Sequence, residues 1–393
     1  MLLRPLLLLR LPSAVSRTTT LSTACASVAS STSSAISIRA MSLTPAPTAA
    51  TTLTLPAAAD LHVHLRQGDL MRMVVPHIRR GGVVRVLVMP NLKPAIASTE
   101  QALAYKRELE QIDASVDYWM TLYLGPEITP DEIRKAAAAG IKGVKSYPRG
   151  VTTNSESGIE SYTAYYPVFK AMEETNMVLN LHGEVPSNPK DDICVMNAEV
   201  HFLKHLEQLH RDFPKLRIVL EHVTTGAAVR KVLELGDTVA ATVTVHHLSL
   251  IVDDWAGKNH NYCKPVAKYP SDRRALWDAI LSGSPKFFLG SDSAPHPRST
   301  KECASGCAGV YTQPHVLPYL ASVFEQYNAL DKLQAFTSDN GNRFYQAKPS
   351  TDTVTLVREP LTVESELSYG DASAAQPAVV PFQAGETLPW RLA

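Results

Sequence analysis

Eight apolar, β-branched runs, each followed by a loop and in most cases by a stretch of helical period, govern what this chain can fold into. They lie at Asp60–Leu65, Val83–Met89, Asp117–Leu124, Ile141–Tyr147, Met177–Gly183, Leu216–His222, Val239–His246 and Lys286–Ser291. Between them Glu100–Ile112, Val195–Arg211 and Arg273–Leu281 carry the helical spacing. The clearest helix start is Thr129-Pro130-Asp131-Glu132, which places an N-cap Thr, a Pro at the first helical position and a Glu three residues after the cap. Gly140 supplies the stop. Eight such units within roughly 240 residues predict an α/β fold of the (β/α)8 TIM barrel kind. An open, doubly wound sheet produces the same alternation, but no Gly-x-Gly-x-x-Gly turn follows the first strand, so a dinucleotide-binding fold has no support.

The chain has 393 residues, 45% hydrophobic, which is enough for one large core. Lys plus Arg equals Asp plus Glu at 38 each, so no net field draws it to nucleic acid or to an anionic membrane. Cys25, Cys194, Cys263, Cys303 and Cys307 are too few and too scattered for a disulfide framework, which suggests a reducing compartment. Cys303-x-x-x-Cys307 has no second pair to complete a zinc site and reads as ordinary loop. Residues 1–59 contain no Asp or Glu, but carry Arg4, Arg10, Arg17 and Arg39 among many Ser, Thr and Ala. Such a leader resembles a mitochondrial or plastid transit peptide. The alternative is that translation starts at Met41, which leaves the protein cytoplasmic. On either reading residues 1–51 stand apart from a barrel domain over 52–393 with a C-terminal extension.

Barrel enzymes carry their chemistry at the C-terminal ends of the strands. There the first run offers His62-Val63-His64, whose alternation sets both imidazoles on one face, roughly 6.5–7 Å apart along the strand. Arg66 follows, a fork suited to a carboxylate. The fourth run ends at Lys145, the fifth at His182, the sixth at His222 and the eighth at Asp292. Taken singly, His182 or His222 reads as a buried hydrogen-bonded histidine, Asp292 as a loop cap and Lys145 as half of an ion pair. Six such residues at equivalent positions on five strands outgrow those readings. Imidazoles and a carboxylate at this density suit a borderline divalent ion, zinc first. His246 and His247 end the seventh strand and are candidates only for a supporting shell; His201, His205 and His210 read as surface residues of a helix.

This pattern resembles the amidohydrolase superfamily, in its metal-dependent hydrolase form of the barrel. The local motifs are sharper: Asp60-Leu-His-Val-His-Leu-Arg66, Met89-Pro-Asn91, Lys145-Ser-Tyr-Pro148, Thr152-Thr-Asn-Ser155, His182-Gly-Glu184 and Gly290-Ser-Asp-Ser-Ala-Pro-His-Pro-Arg298. With Cys307-Ala-Gly309 and Val380-Pro-Phe-Gln-Ala-Gly-Glu-Thr387, they are similar to dihydroorotases of the compact, bacterial- and yeast-like class, from about residue 56 to the C-terminus. The resemblance implies two zinc ions per chain, one on His62, His64 and Asp292, the other on His182 and His222, bridged by Lys145 as N6-carboxylysine. It implies a shared hydroxide that opens (S)-dihydroorotate to N-carbamoyl-L-aspartate reversibly, in pyrimidine (UMP) biosynthesis, with Asp292 shuttling the proton.

Substrate contacts implied in the same way are Arg66, Asn91, His182 and His296, with Lys264 and Ala308 acting through main-chain atoms. Lys264 stands where some bacterial relatives have an apolar residue, and the main-chain contact predicts no change of role. Ser146–Ser161, rich in small polar residues and without period, becomes a lid that brings Thr152 and Thr153 to the substrate. A homodimer is implied as well. Another cyclic amidase, a hydantoinase or allantoinase, shares the metal set, so Arg66, Asn91 and His296 carry the discrimination. An inactive scaffold of this fold would lose metal ligands, and none is missing here.

Overall fold

Eight parallel strands hydrogen-bonded in sequence order make up the core of the computed structural model: β2 (Ala58–Val63), β3 (Val83–Val88), β4 (Asp117–Tyr123), β5 (Gly143–Ser146), β6 (Val178–His182), β7 (Arg217–Glu221), β8 (Val239–Val243) and β9 (Phe287–Leu289). A preceding strand, β1 (Thr52–Pro56), stands outside this sheet. The structure describes residues 51–156, 158–371 and 376–393. The leader expected over 1–51 therefore lies, Thr51 excepted, outside the described residues.

The sheet curls until its edges meet. Val63 and Ser293 form a parallel bridge, the Asp292 amide donates to the His62 carbonyl at 3.0 Å, and the His64 amide donates to that of Ser293 at 3.1 Å. A barrel forms, not an open sheet, and the reason lies in the seam. The buried Asp60 carboxylate accepts from the Ser291 amide at 2.7 Å. Gly290 lets the strands approach: a Cβ there would sit 2.7 Å from Thr242 and 3.1 Å from the His62 Cβ.

Helices α1 (Gly68–Arg80), α2 (Thr99–Ile112), α3 (Pro130–Ala138), α4 (Tyr166–Thr175), α5 (Ala198–Asp212) and α6 (Gly226–Glu234), with Pro270–Leu281 and Val316–Gln326, follow the successive strands. Thr129 caps α3 as expected, its hydroxyl accepting from the Glu132 amide at 3.1 Å, and Gly140 follows its end at φ +83°. Helix α5 starts three residues later than its spacing predicts. Asn197 accepts from the Cys194 amide and donates to the Asp192 carbonyl, both at 2.8 Å, which folds that stretch into a turn instead. Among the described residues, no helix is long and apolar enough to cross a membrane.

Strand β1 pairs antiparallel with β10 (Thr353–Val357), which also pairs with Arg391–Leu392. The C-terminal extension thus closes a small second sheet on the N-terminal strand. Local pattern did not reveal it, because the ladder joins segments some three hundred residues apart.

Inside the barrel the period of two builds layers. Leu87, Trp119, Val178, Val219 and Phe288 pack with Tyr345 as an apolar plug. Two or more residues further along the same strands, the inward positions are Asn180, His182, Glu221 and Asp292. On β2 a register shift between Asp60 and Val63 inserts a bulge, so that His62 and His64 face inward although Leu61 does too.

Candidate active site

The strand ends bring all six expected ligand-type side chains to one mouth. His62 Nε2, His64 Nε2 and Asp292 Oδ1 converge: the two nitrogens are 3.3 Å apart, and the carboxylate oxygen is 3.3 Å from His62 and 3.0 Å from His64. The His182 and His222 rings meet edge to face at 4.8 Å, and the His222 ring lies 5.1 Å from that of His62. All five side chains, and Lys145, are buried.

Two of these histidines have one ring nitrogen hydrogen-bonded, and a third has one beside a carboxylate. His64 Nδ1 lies 2.9 Å from Asn91 Oδ1, and His182 Nε2 is 2.9 Å from Glu184 Oε2. His62 Nδ1 lies 2.9 Å from Glu221 Oε2, though poorly aligned for a hydrogen bond. Such anchors fix the tautomer and aim the free nitrogen at a cation. His222 Nδ1 meets no acceptor among the described residues. Burial lowers the pKa of all four rings, to about 4 at His64, and the neutral form is the one that ligates a metal. Burial alone would raise Asp292, but His62 and His64 hold it well below the usual carboxylate range.

Lys145 is wholly buried, and its Nζ touches Glu221. Desolvation drives its pKa far down. Glu221 also accepts from Asn180 Nδ2 at 3.0 Å, so one carboxylate ties β5, β6 and β7 together beneath the site.

Backbone strain marks the same positions. Arg66, His222 and Asp292 adopt left-handed φ values of +63°, +43° and +46°, a region that costs a non-glycine residue of order 1–3 kcal/mol. At His222 the strain has a visible result. In a regular strand Glu221, in phase with inward Val219, faces the interior and His222 would face away; the left-handed turn at His222 brings it to the mouth as well. Glu221, although in phase with the inward positions, is a site residue that the sequence reading did not single out. Glu184 was equally missed, although it sits within the His182-Gly-Glu184 motif.

His62, His64, His182, His222 and Asp292 line a narrow cavity with Arg66, Asn91, Tyr147, Thr152, Thr153, Lys264 and Ala308. Arg66 donates through Nε to the Pro295 carbonyl at 3.0 Å and pairs through Nη2 with His296 Nε2 at 3.1 Å. Burial and Arg66 push His296 down to about 2, so it is a neutral acceptor. Asn91 lines the cavity with its amide already engaged, since Nδ2 donates to the Thr153 carbonyl at 3.1 Å. Lys264 uses its side chain too: Nζ donates to the Val151 carbonyl at 2.7 Å. His247 supports that neighbourhood, its Nε2 2.9 Å from the Pro265 carbonyl, whereas fully buried His246 packs its ring on His247 and has no hydrogen-bond partner among the described residues. His201, His205 and His210 lie along α5; His201 is exposed, and the other two are half-buried.

The description of the matching family model is amidohydrolase, over residues 90–257. Over 388 aligned residues the chain is 48% identical to the dihydroorotase of Mycosarcoma maydis, covering 86% of this chain and 98% of that protein. The chain belongs to the dihydroorotase family. Among solved structures, the dihydroorotase of Saccharomyces cerevisiae in complex with 5-fluoroorotic acid superposes with a TM-score of 0.84 at 43% identity, covering 88% of this chain and 99% of that one. An L-hydantoinase from Arthrobacter aurescens superposes with a TM-score of 0.73 at 16% identity, over 86% of this chain and 83% of its own. That second likeness shows the fold alone. Family membership makes the chain a hydrolase of cyclic amide bonds and its substrate a small molecule.

Proposed function

We propose that this dihydroorotase interconverts (S)-dihydroorotate and N-carbamoyl-L-aspartate on a pair of zinc ions. The convergence of His62, His64 and Asp292 carries the reading. Their ligand atoms are 3.0–3.3 Å apart, and the edge of a tetrahedron with metal–ligand bonds of ~2.0–2.1 Å is about 3.3–3.4 Å. These three would hold one ion and His182 with His222 the other, with Lys145 between them as N6-carboxylysine.

Burial favours that modification. Only the unprotonated amine adds to carbon dioxide, and desolvation lowers the Lys145 pKa, which favours that form. The new N–C bond releases one proton, and Glu221, touching Nζ, is the adjacent acceptor. When bound, the zinc pair supplies Lewis acidity for the amide carbonyl and lowers the pKa of water. Asp292, an ionised acceptor, takes the proton of the attacking water and returns it to the ring nitrogen as the C–N bond breaks; ring closure runs the same transfers backwards.

Arg66, held by Pro295 and His296, binds the substrate carboxylate. His182 and the Lys264 and Ala308 main chains contribute contacts to the ring. Asn91 acts by steadying His64 and the lid as well as by facing the substrate. Thr152 and Thr153 close over the cavity and exclude water. The 5-fluoroorotic acid carried by the yeast relative is the matching probe for this cavity. We further assign the reaction to de novo pyrimidine (UMP) synthesis, performed by a homodimer.

The test is turnover of dihydroorotate against hydantoin and allantoin, with metal analysis and intact mass on the same preparation. Preference for dihydroorotate is expected, with about two zinc ions per chain and an acid-labile carbon dioxide adduct on Lys145. Chelation should abolish turnover, and zinc with bicarbonate should restore it. Preference for hydantoin, or activity that survives complete removal of metal, refutes the reading.

A further inference from the structure

Tyr147 lines the cavity yet has no part in the chemistry above. It follows Lys145 by two residues, on the inward face of β5 extended, and is 2% exposed. Its ring cannot swing away. It stacks on Tyr123 at 5.2 Å and 24°, lies 6.3 Å from the His182 ring, and carries the Lys145 amine 5.1 Å from its centroid. Yet its hydroxyl makes no hydrogen bond among the described residues. A buried, unsatisfied phenol is destabilising, and buried tyrosines elsewhere in this fold avoid it. Tyr118 donates to the Asp113 carbonyl at 2.9 Å, and Tyr345 lies 2.7 Å from Asn180 Nδ2. Tyr147 thus pairs a pinned ring that lines the cavity with a buried hydroxyl that has no partner among the described residues.

We propose that the Tyr147 hydroxyl is a substrate-binding donor, completing its hydrogen bonding only when an oxygen of the bound dihydroorotate or carbamoyl-aspartate reaches it. The proposal rests on the dihydroorotase reading and extends its contact set by one residue. An uncharged donor suits this wall. Arg66 already supplies the fixed positive charge, and a second cation beside the metal ligands would compete with the zinc.

Tyr147→Phe removes the hydroxyl and keeps the ring. Without ligand, the variant should be as stable as the parent or more so, because an unpaired polar group has gone; a hydroxyl with a structural bond would give the opposite sign. Zinc content and the Lys145 adduct should be unchanged. KM for dihydroorotate and Kd for 5-fluoroorotic acid should each rise about ten-fold, and the rise in Tm on adding 5-fluoroorotic acid should shrink. Unchanged KM and Kd overturn the proposal. So does loss of zinc or of the adduct, which would assign the hydroxyl to the metal bridge. Failure of the underlying reading shows separately, as absence of dihydroorotate turnover by the unmutated protein.

Discussion

Lys264→Met tests whether the loop after β5 is held shut by side chains as well as by the substrate. The loop is tethered from two sides. Lys264 Nζ donates to the Val151 carbonyl at 2.7 Å, and Asn91 Nδ2 to that of Thr153 at 3.1 Å, so Thr152 is suspended between the two anchors. Asn154 Nδ2 adds a bond back to the Asn91 carbonyl at 2.9 Å. Methionine keeps the stem of the side chain and the main-chain contacts of residue 264 but removes the donor. A hydrogen bond from a charged group contributes about 1.5–3 kcal/mol, and the half-buried position of Lys264 argues for the lower end. A loss of ~1.4 kcal/mol shifts the closed-to-open ratio about ten-fold. Substrate must then restore the closed state from its own binding energy, so KM should rise by up to that factor. Hydrogen exchange of the peptide spanning 147–160 should quicken in the free protein, with zinc content intact. Lys264→Arg, which retains a donor and the charge, should recover most of both effects. If exchange and KM are both unaltered in Lys264→Met, the latch is an idle contact and the reasoning fails.

Replacing Thr152 and Thr153 by Ala together should cut turnover, on the order of ten-fold or more, and leave bound zinc intact by metal analysis; zinc loss in that variant would contradict the lid role. Glu199 gives a pH prediction away from the chemistry. It is buried at the start of α5, accepts from the Thr224 amide at 2.8 Å, and desolvation raises it to about 7. A carboxyl whose folded pKa is raised stabilises the fold below its unfolded value of about 4.5, and that contribution is lost as pH rises through 7. Glu199→Gln should therefore melt higher than the parent at pH 8, by up to about 3 kcal/mol of stability, and show little difference at pH 5. A parallel drop at both pH values would contradict a charged Glu199.

The fold was legible where local pattern and global architecture agree. All eight barrel strands and the capped start of α3 follow from periodicity and turn chemistry, because burial on both faces demands continuous apolar runs. Strand β1 was not legible, since its partner is β10 at the far end of the chain. The convergence of the six candidate ligands was legible for a geometric reason: barrel topology converts equivalent strand ends into one mouth, so residues far apart in sequence become neighbours. Its supports were less so. Glu184 lies past the end of β6, where strand alternation no longer applies, and His222 joins the regularly inward Glu221 at the site only because its own backbone is left-handed.

The sequence by itself determined the barrel, the family and the six polar side chains at its rim, since each depends on residue type and a fixed period. Only the tertiary structure decided which ring nitrogens of His64 and His182 are engaged, that Lys145 is buried against Glu221, and why Lys264 has a use for its amine. Those properties depend on what lies a few ångströms away in space, and the neighbours come from other strands and loops.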